Sequence, residues 1–253
     1  MSKLAVAVAA AGTLLVGLAA PGGNGIEDEP AHVIAEKGRQ SLLTARSLHW
    51  EGQTKDATGT YVVDFHLDTE GNCTGTVDVL PKGGRLEIIK RGQDVWMKPD
   101  AVFLKAQLPG QTGKDMADVL DGRWMHGHAD DASLREFSAS CDVAHLQREY
   151  MPEPFTAADD VEKGAKALVK GKPAITVTGR SGDDWATFYV ATEGKPYLLR
   201  IQGQIGATQG EADFSEYDEP VPTRTPPPAQ SVDVSDLQTA GTRPAGGACR
   251  AGC

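Results

Sequence analysis

The stretch Gly71–Pro99, GNCTGTVDVLPKGGRLEIIKRGQDVWMKP, limits what this chain can fold into more than any other. Three short runs of β-type residues, Cys73–Leu80, Arg85–Arg91 and Asp94–Lys98, are divided by Pro81-Lys82-Gly83-Gly84 and by Gly92-Gln93. Runs of this length between turn-forming residues predict a meander of antiparallel strands. Val77 and Val79 alternate with Thr76 and Asp78, and Val95 and Met97 alternate with Trp96 and Lys98. Side chains alternate across a strand, so such a pattern puts one face on a core and leaves the other wet. Nothing in the stretch is a catalytic motif, which points to a binding or structural surface.

Similar signals recur on both sides. Pro30 favours a helix start, and Ala31, Ile34, Ala35, Gly38, Leu42 and Ala45 follow a helical period over Ala31–Ala45. Strands are predicted at Ser47–Gln53 and Thr60–Asp68, the second with Tyr61, Val63, Phe65 and Leu67 on one side. The middle reads as helical: Gly113–Leu120, then a segment opening at Ser133-Leu134-Arg135-Glu136 and running, with a break near Cys141, to Tyr150. Serine followed three residues later by glutamate is a capping-box pattern, and Pro152 and Pro154 end the segment. Five further strands are predicted at Ala165–Val169, Ala174–Gly179, Asp184–Ala191, Pro196–Gln204 and Gly210–Tyr217. The prolines from Pro220 onward break any sheet.

A helix, a meander, helices and a second meander describe an α+β domain with one broad antiparallel sheet, its apolar face covered by the helices. The chain divides into residues 1–20, a signal peptide or N-terminal anchor; 21–29, a linker; 30–225, the domain; and 226–253, a disordered Pro/Gly-rich tail with a short turn around Val232–Leu237.

Met1-Ser2-Lys3 precedes the apolar run LAVAVAAAGTLLVGLAA. The run is a little short for a spanning helix, which needs about 20 residues. One lysine, an apolar core and small residues at its end resemble a secretory signal peptide, with cleavage expected after Ala19. The competing reading is an uncleaved anchor, which would associate the chain with a membrane. Either way the domain is expected outside the cytoplasm, in the cell envelope or secreted. There the four cysteines meet an oxidising compartment, and an even count suits two bridges. Cys73 at a strand start is paired here with Cys141 in the helical stretch. Cys249 and Cys253 could pair with each other, link two chains or stay free.

Charge excludes one large class of partner. With 35 acidic and 25 basic residues the formal net charge is −10, opposite to the basic footprint that nucleic acid requires. The chemistry of hydrolases and nucleotide enzymes is missing too: no G-x-S-x-G, H-E-x-x-H, Walker loop or G-x-G-x-x-G occurs. His126 and His128 with Asp130 and Asp131 form the best metal candidate, yet two imidazoles without a defined third ligand do not specify a metal geometry. They are read as a polar loop. Asp159-Asp160 and Asp183-Asp184 are read as solvated loop charges. No catalytic residue, metal or cofactor is assigned, and the chain is read as a monomeric protein that is not an enzyme.

The junction Leu42-Leu43-Thr44-Ala45-Arg46 into Ser47-Leu48-His49-Trp50-Glu51-Gly52 resembles the helix-into-first-strand junction of the LppX/LprG-type envelope lipoproteins, which share the LolA-like half-barrel. Gly71–Val77, Arg85–Ile89 and Asp94–Lys98 extend the likeness. So do Trp185–Val190, Lys195–Ile201 and Phe214–Tyr217, and together these cover roughly residues 30–225. The resemblance implies an incomplete, strongly curved barrel with helices on its concave side and a cavity for a lipid or other apolar ligand. Phe65, Val77, Ile88, Val95, Met97, Phe188 and Leu199 would line it. The chain departs from the family in having no cysteine directly after the apolar run, where a lipid anchor would attach. The alternative is a surface interaction or sensor module with a filled core.

Overall fold

A computed structural model describes residues 22–108, 110–150, 153–222 and 224–241. The apolar N-terminal run, Cys249 and Cys253 lie outside the described residues. In chain order the elements are α1 (Ala31–Leu43), β1 (Ser47–Lys55), β2 (Thr60–Asp68), β3 (Cys73–Leu80), β4 (Gly84–Arg91), β5 (Asp94–Pro99), α2 (Ala101–Gln107) and α3 (Gln111–Leu120). Then come β6 (Trp124–His128), α4 (Arg135–Ala139), α5 (Val143–Tyr150), β7 (Val161–Val169), β8 (Lys172–Ser181), β9 (Asp184–Ala191), β10 (Leu198–Ile205), β11 (Thr208–Ser215), β12 (Ser231–Asp233) and α6 (Val234–Gly241).

The strands form one sheet in the order β12-β6-β5-β4-β3-β2-β1-β11-β10-β9-β8-β7. The first meander, β1 to β5, and the second, β7 to β11, are joined where β11 returns beside β1, with Trp50 opposite Phe214. All neighbours are antiparallel except β12, which runs parallel to β6. The edges β12 and β7 do not pair with each other, so the sheet is an open half-barrel. This is the α+β class read from the sequence.

The helices lie on one face, the concave one. Phe65 and Leu67 of β2, Ile88 of β4, Val95 and Met97 of β5, Val190 of β9 and Phe214 of β11 share a core with Ile34 and Leu42 of α1, Phe103 of α2, Leu120 of α3 and Leu146 of α5. α1 lies close to β9 because Gly38 has no side chain: a Cβ there would sit 2.8 Å from Val190 Cγ2. Cys73, at the start of β3, is bonded to Cys141, between α4 and α5, with Cα atoms 5.4 Å apart. The bridge ties the helical layer to the sheet, in the pairing expected from sequence.

Several local expectations are corrected. α2 lies where the sequence signals no helix; Asp100 starts it, its Oδ1 accepting from the Phe103 N–H at 2.6 Å. α4 begins after Leu134 rather than at Ser133, without a side-chain cap. The polar loop around His126 and His128 is strand β6, paired with β5. Residues 22–29 do not behave as a free linker. Asn24 Nδ2 donates to the Ala191 carbonyl at 3.0 Å, and Ile26 is buried in the core. Nor is the segment after residue 226 disordered as far as Gly241. β12 adds to the exposed edge of β6, and Val234 and Leu237 of α6 are buried in the main core. An unpaired edge presents a row of free N–H and C=O groups, and a strand as short as β12 suffices to use them.

Tyr217, just after β11, closes the second meander. Its hydroxyl donates to the Leu198 carbonyl at 2.5 Å, and its ring stacks on Tyr197 with centroids 4.2 Å apart. Enclosure of the hydroxyl, with Tyr197 adding to it, pushes its pKa well above the ordinary tyrosine value, against a smaller opposing bond with Ser41. The folded state therefore holds this proton more tightly than the unfolded chain, where tyrosine titrates at about 10. Stability contributed here is complete below that pH and is lost as pH rises above it. An ultraviolet phenolate titration should show a late phase coinciding with alkaline unfolding, and Tyr217→Phe should remove that phase.

Candidate functional site

The concave face is not filled everywhere. Past the end of α5 a cleft of ≈ 300 Å³ opens over β9, β10, β11 and β1. It lies between Tyr150, the last residue of α5, and strand residues including Ala186, Phe188, Ile201, Gly203, Gly210 and Ala212. The register explains the opening. Ala186 lies opposite Gly203, Gly203 opposite Gly210, and Gly210 opposite Thr54. One row across four strands thus carries only small side chains or none. Phe188, Ile201, Ala212 and Gly52 make the next row inward. The cleft floor is bare backbone flanked by apolar walls, and Ile205 at its rim is 70% exposed. Its volume is at the lower bound of small-molecule pockets, roughly 300–1,000 Å³.

Backbone crowding keeps the floor bare. A Cβ on Gly203 would come within 2.6 Å of the Trp185 carbonyl oxygen, and one on Gly210 within 2.9 Å of that of Gln53. Tyr150 is held edge-on to Trp50 and to Phe214, with centroids 5.9 and 5.6 Å away. Trp50 leans over Gly52, its Nε1 3.3 Å from where a Cβ would stand. That indole N–H is buried and has no hydrogen-bond partner among the described residues. Such a donor costs about 1–3 kcal/mol when unsatisfied, so the wall beside the cleft holds one unmet polar demand.

The seven residues expected to line a cavity fall into three places. Phe65, Ile88, Val95 and Met97 are buried in the main core, and Val77 packs against it half-buried. Phe188 is in the core and also lines the cleft. Leu199 is elsewhere, in a second cluster with Val169, Ala174 and Ala191. The cause is a bulge in β10 between Leu198 and Arg200. It leaves Leu198 on the helical face and sends Leu199 to the other. Ala186, Ile201, Gly203, Gly210, Ala212 and Tyr150 were missed, because small residues show as a floor only once strands are in register.

The acid and histidine candidates are also placed. His126 stacks on Trp96, centroids 4.7 Å apart, with Nε2 3.4 Å from Asp94. His128 Nδ1 instead meets Asp130 at 2.5 Å, a bond that holds the Asp130 carboxyl below the usual range. Asp131 accepts from the His128 backbone N–H at 2.7 Å. The two histidines thus turn to different carboxylates. Asp159 and Asp184 accept from the N–H groups of Thr156 and Gly206 in turns. No described helix is long and apolar enough to cross a membrane.

Fold and cleft together define an open half-barrel with an apolar recess on its concave side. Solved structures similar to the chain include Mycobacterium tuberculosis lipoprotein LppX, 13% identical over 77% of this chain and 98% of that one, TM-score 0.49. LprF from Mycobacterium bovis is 11% identical over 78% and 96%, TM-score 0.49. A LolA superfamily protein from Nitrosomonas europaea is 12% identical over 79% and 96%, TM-score 0.24. No protein-family model matches the sequence, and no curated protein is close enough to count as a relative.

Proposed function

We propose that the protein is an exported binding or carrier module for an apolar ligand, a lipid or lipid-like molecule, held in the concave cleft. The observation that carries this is the row Ala186–Gly203–Gly210–Thr54, which leaves apolar sheet uncovered where the helices stop. A cleft of ≈ 300 Å³ suits one acyl chain or a ring-sized apolar group better than a bulky multi-chain lipid. Each methylene it removes from water contributes about 0.8 kcal/mol. Export rests on the signal-peptide pattern of residues 1–20.

Native mass spectrometry of protein taken from its own envelope should recover a bound apolar ligand, and the stripped protein should bind a fluorescent long-chain fatty acid. Ala186→Trp, which fills the cleft from its floor, should abolish probe binding while leaving the unfolding midpoint little changed. Repeated recovery of ligand-free protein with no probe binding would sink the reading. The reading with a filled core then stands, and it has its own support in the dense packing of helices against β2 to β6.

A further inference from the structure

We infer that the outer face of the sheet, opposite the cleft, carries a site for a divalent transition-metal ion of the zinc type, built from His49, His66 and Glu216. His49 on β1 and His66 on β2 stand directly opposite each other. Both alternate with core residues, Leu48 and Trp50 on one strand, Phe65 and Leu67 on the other, and so point away from the helices. Their rings are stacked, centroids 4.0 Å apart and planes within 6°. His49 Nε2 lies 2.8 Å from Asp64 Oδ1, and His66 Nε2 lies 3.1 Å from Glu216 Oε2. Ligand atoms of His49, His66 and Glu216 all lie within 4.8 Å of one another. Both histidines are largely sheltered, with side chains 13% and 26% exposed.

Charge decides what the cluster needs. The nearby cations are engaged elsewhere: Arg200 holds Asp213 through two bonds of 2.5 and 2.8 Å, and Lys170 pairs with Glu51 and Asp213. Asp64 and Glu216 are left with the two imidazoles as their ion-pair partners among the described residues. Neutral imidazoles leave both carboxylates unbalanced, in a chain of net charge −10. Two protons or one divalent cation would restore balance. Two imidazolium rings stacked at 4.0 Å would repel each other, whereas one cation shared between two neutral rings and a carboxylate has no such penalty. Two imidazoles with carboxylates are a zinc donor set, unlike the all-oxygen sites of calcium and magnesium. Ser215 Oγ, 3.3 Å from His49 Nδ1, is placed to steady that ring from outside the ligand set.

The test is a calorimetric titration of the untagged, chelator-stripped full chain with zinc chloride. One zinc per chain is expected. His66→Ala should weaken binding by at least about tenfold, the scale of losing even an outer-shell partner. Glu216→Gln should weaken it by less, and it serves as the readout if His66→Ala does not fold. His128→Ala, which lies on β6 with its own carboxylate, should leave binding unchanged. Cobalt(II) in place of zinc should give the visible absorption of a four-coordinate site. Absence of stoichiometric zinc binding would overturn the inference, and so would binding that survives both His66→Ala and Glu216→Gln.

Discussion

Removing the Cys73–Cys141 bridge is expected to destabilise the protein by about 4 kcal/mol. The bridge spans a sequence separation of 68. In the chain-entropy account a loop of that length loses much of its freedom in the unfolded state when closed. Both sulfurs are buried, with their residues fully shielded from solvent. Within the loop lie β3, β4, β5, α2, α3, β6 and α4, so one bond organises half of the concave layer. The double variant Cys73→Ala/Cys141→Ala avoids leaving one reactive thiol in the core. Urea unfolding of the oxidised wild type and this variant measures the difference. A loss under about 1 kcal/mol would show that packing alone holds α4 and α5 on the sheet.

Phe65→Ala should cost about 3–5 kcal/mol, the range for truncating an aromatic in a close-packed core. Phe65 is 1% exposed and stacks on Trp50, centroids 5.9 Å apart. Its ring lies over Gly75, the residue opposite it on β3, where a Cβ would come within 2.3 Å of the ring. An aromatic over a strand glycine covers backbone that would otherwise be bare and helps the sheet bend. The result also separates two views of the concave face. If Phe65 bordered open ligand space, truncation would remove few contacts and cost little. A full core penalty, with probe binding in the cleft preserved, would place the ligand over β9 to β11 and not over β2 to β5.

The first meander was readable because its signals are local. Pro81, Gly83-Gly84 and Gly92-Gln93 turn the chain wherever they stand, and alternation in Val95 to Lys98 depends on nothing but the strand's own pleat. The Cys73–Cys141 pairing followed from an even count and from where each cysteine falls. Leu199 was misplaced because a bulge in β10 shifts the alternation by one residue, and a shift of one moves a side chain to the opposite face. β6 and β12 were missed for a related reason. A five-residue run containing two histidines and a glycine has little strand preference of its own, and it became a strand by pairing with β5.

The sequence by itself determined the kind of protein: one broad antiparallel sheet, helices on its apolar face, a bridge between the layers, and a net charge of −10. Those properties come from composition, period and turn chemistry, each readable within a few residues. Only the tertiary structure decided which residues face one another. The cleft exists because Ala186, Gly203 and Gly210, far apart in the chain, fall in one row across adjacent strands. His49 and His66 stack because β1 and β2 pair in one register. Contacts of that kind depend on register, which is set by the summed burial of whole strands and not by any residue that takes part in them.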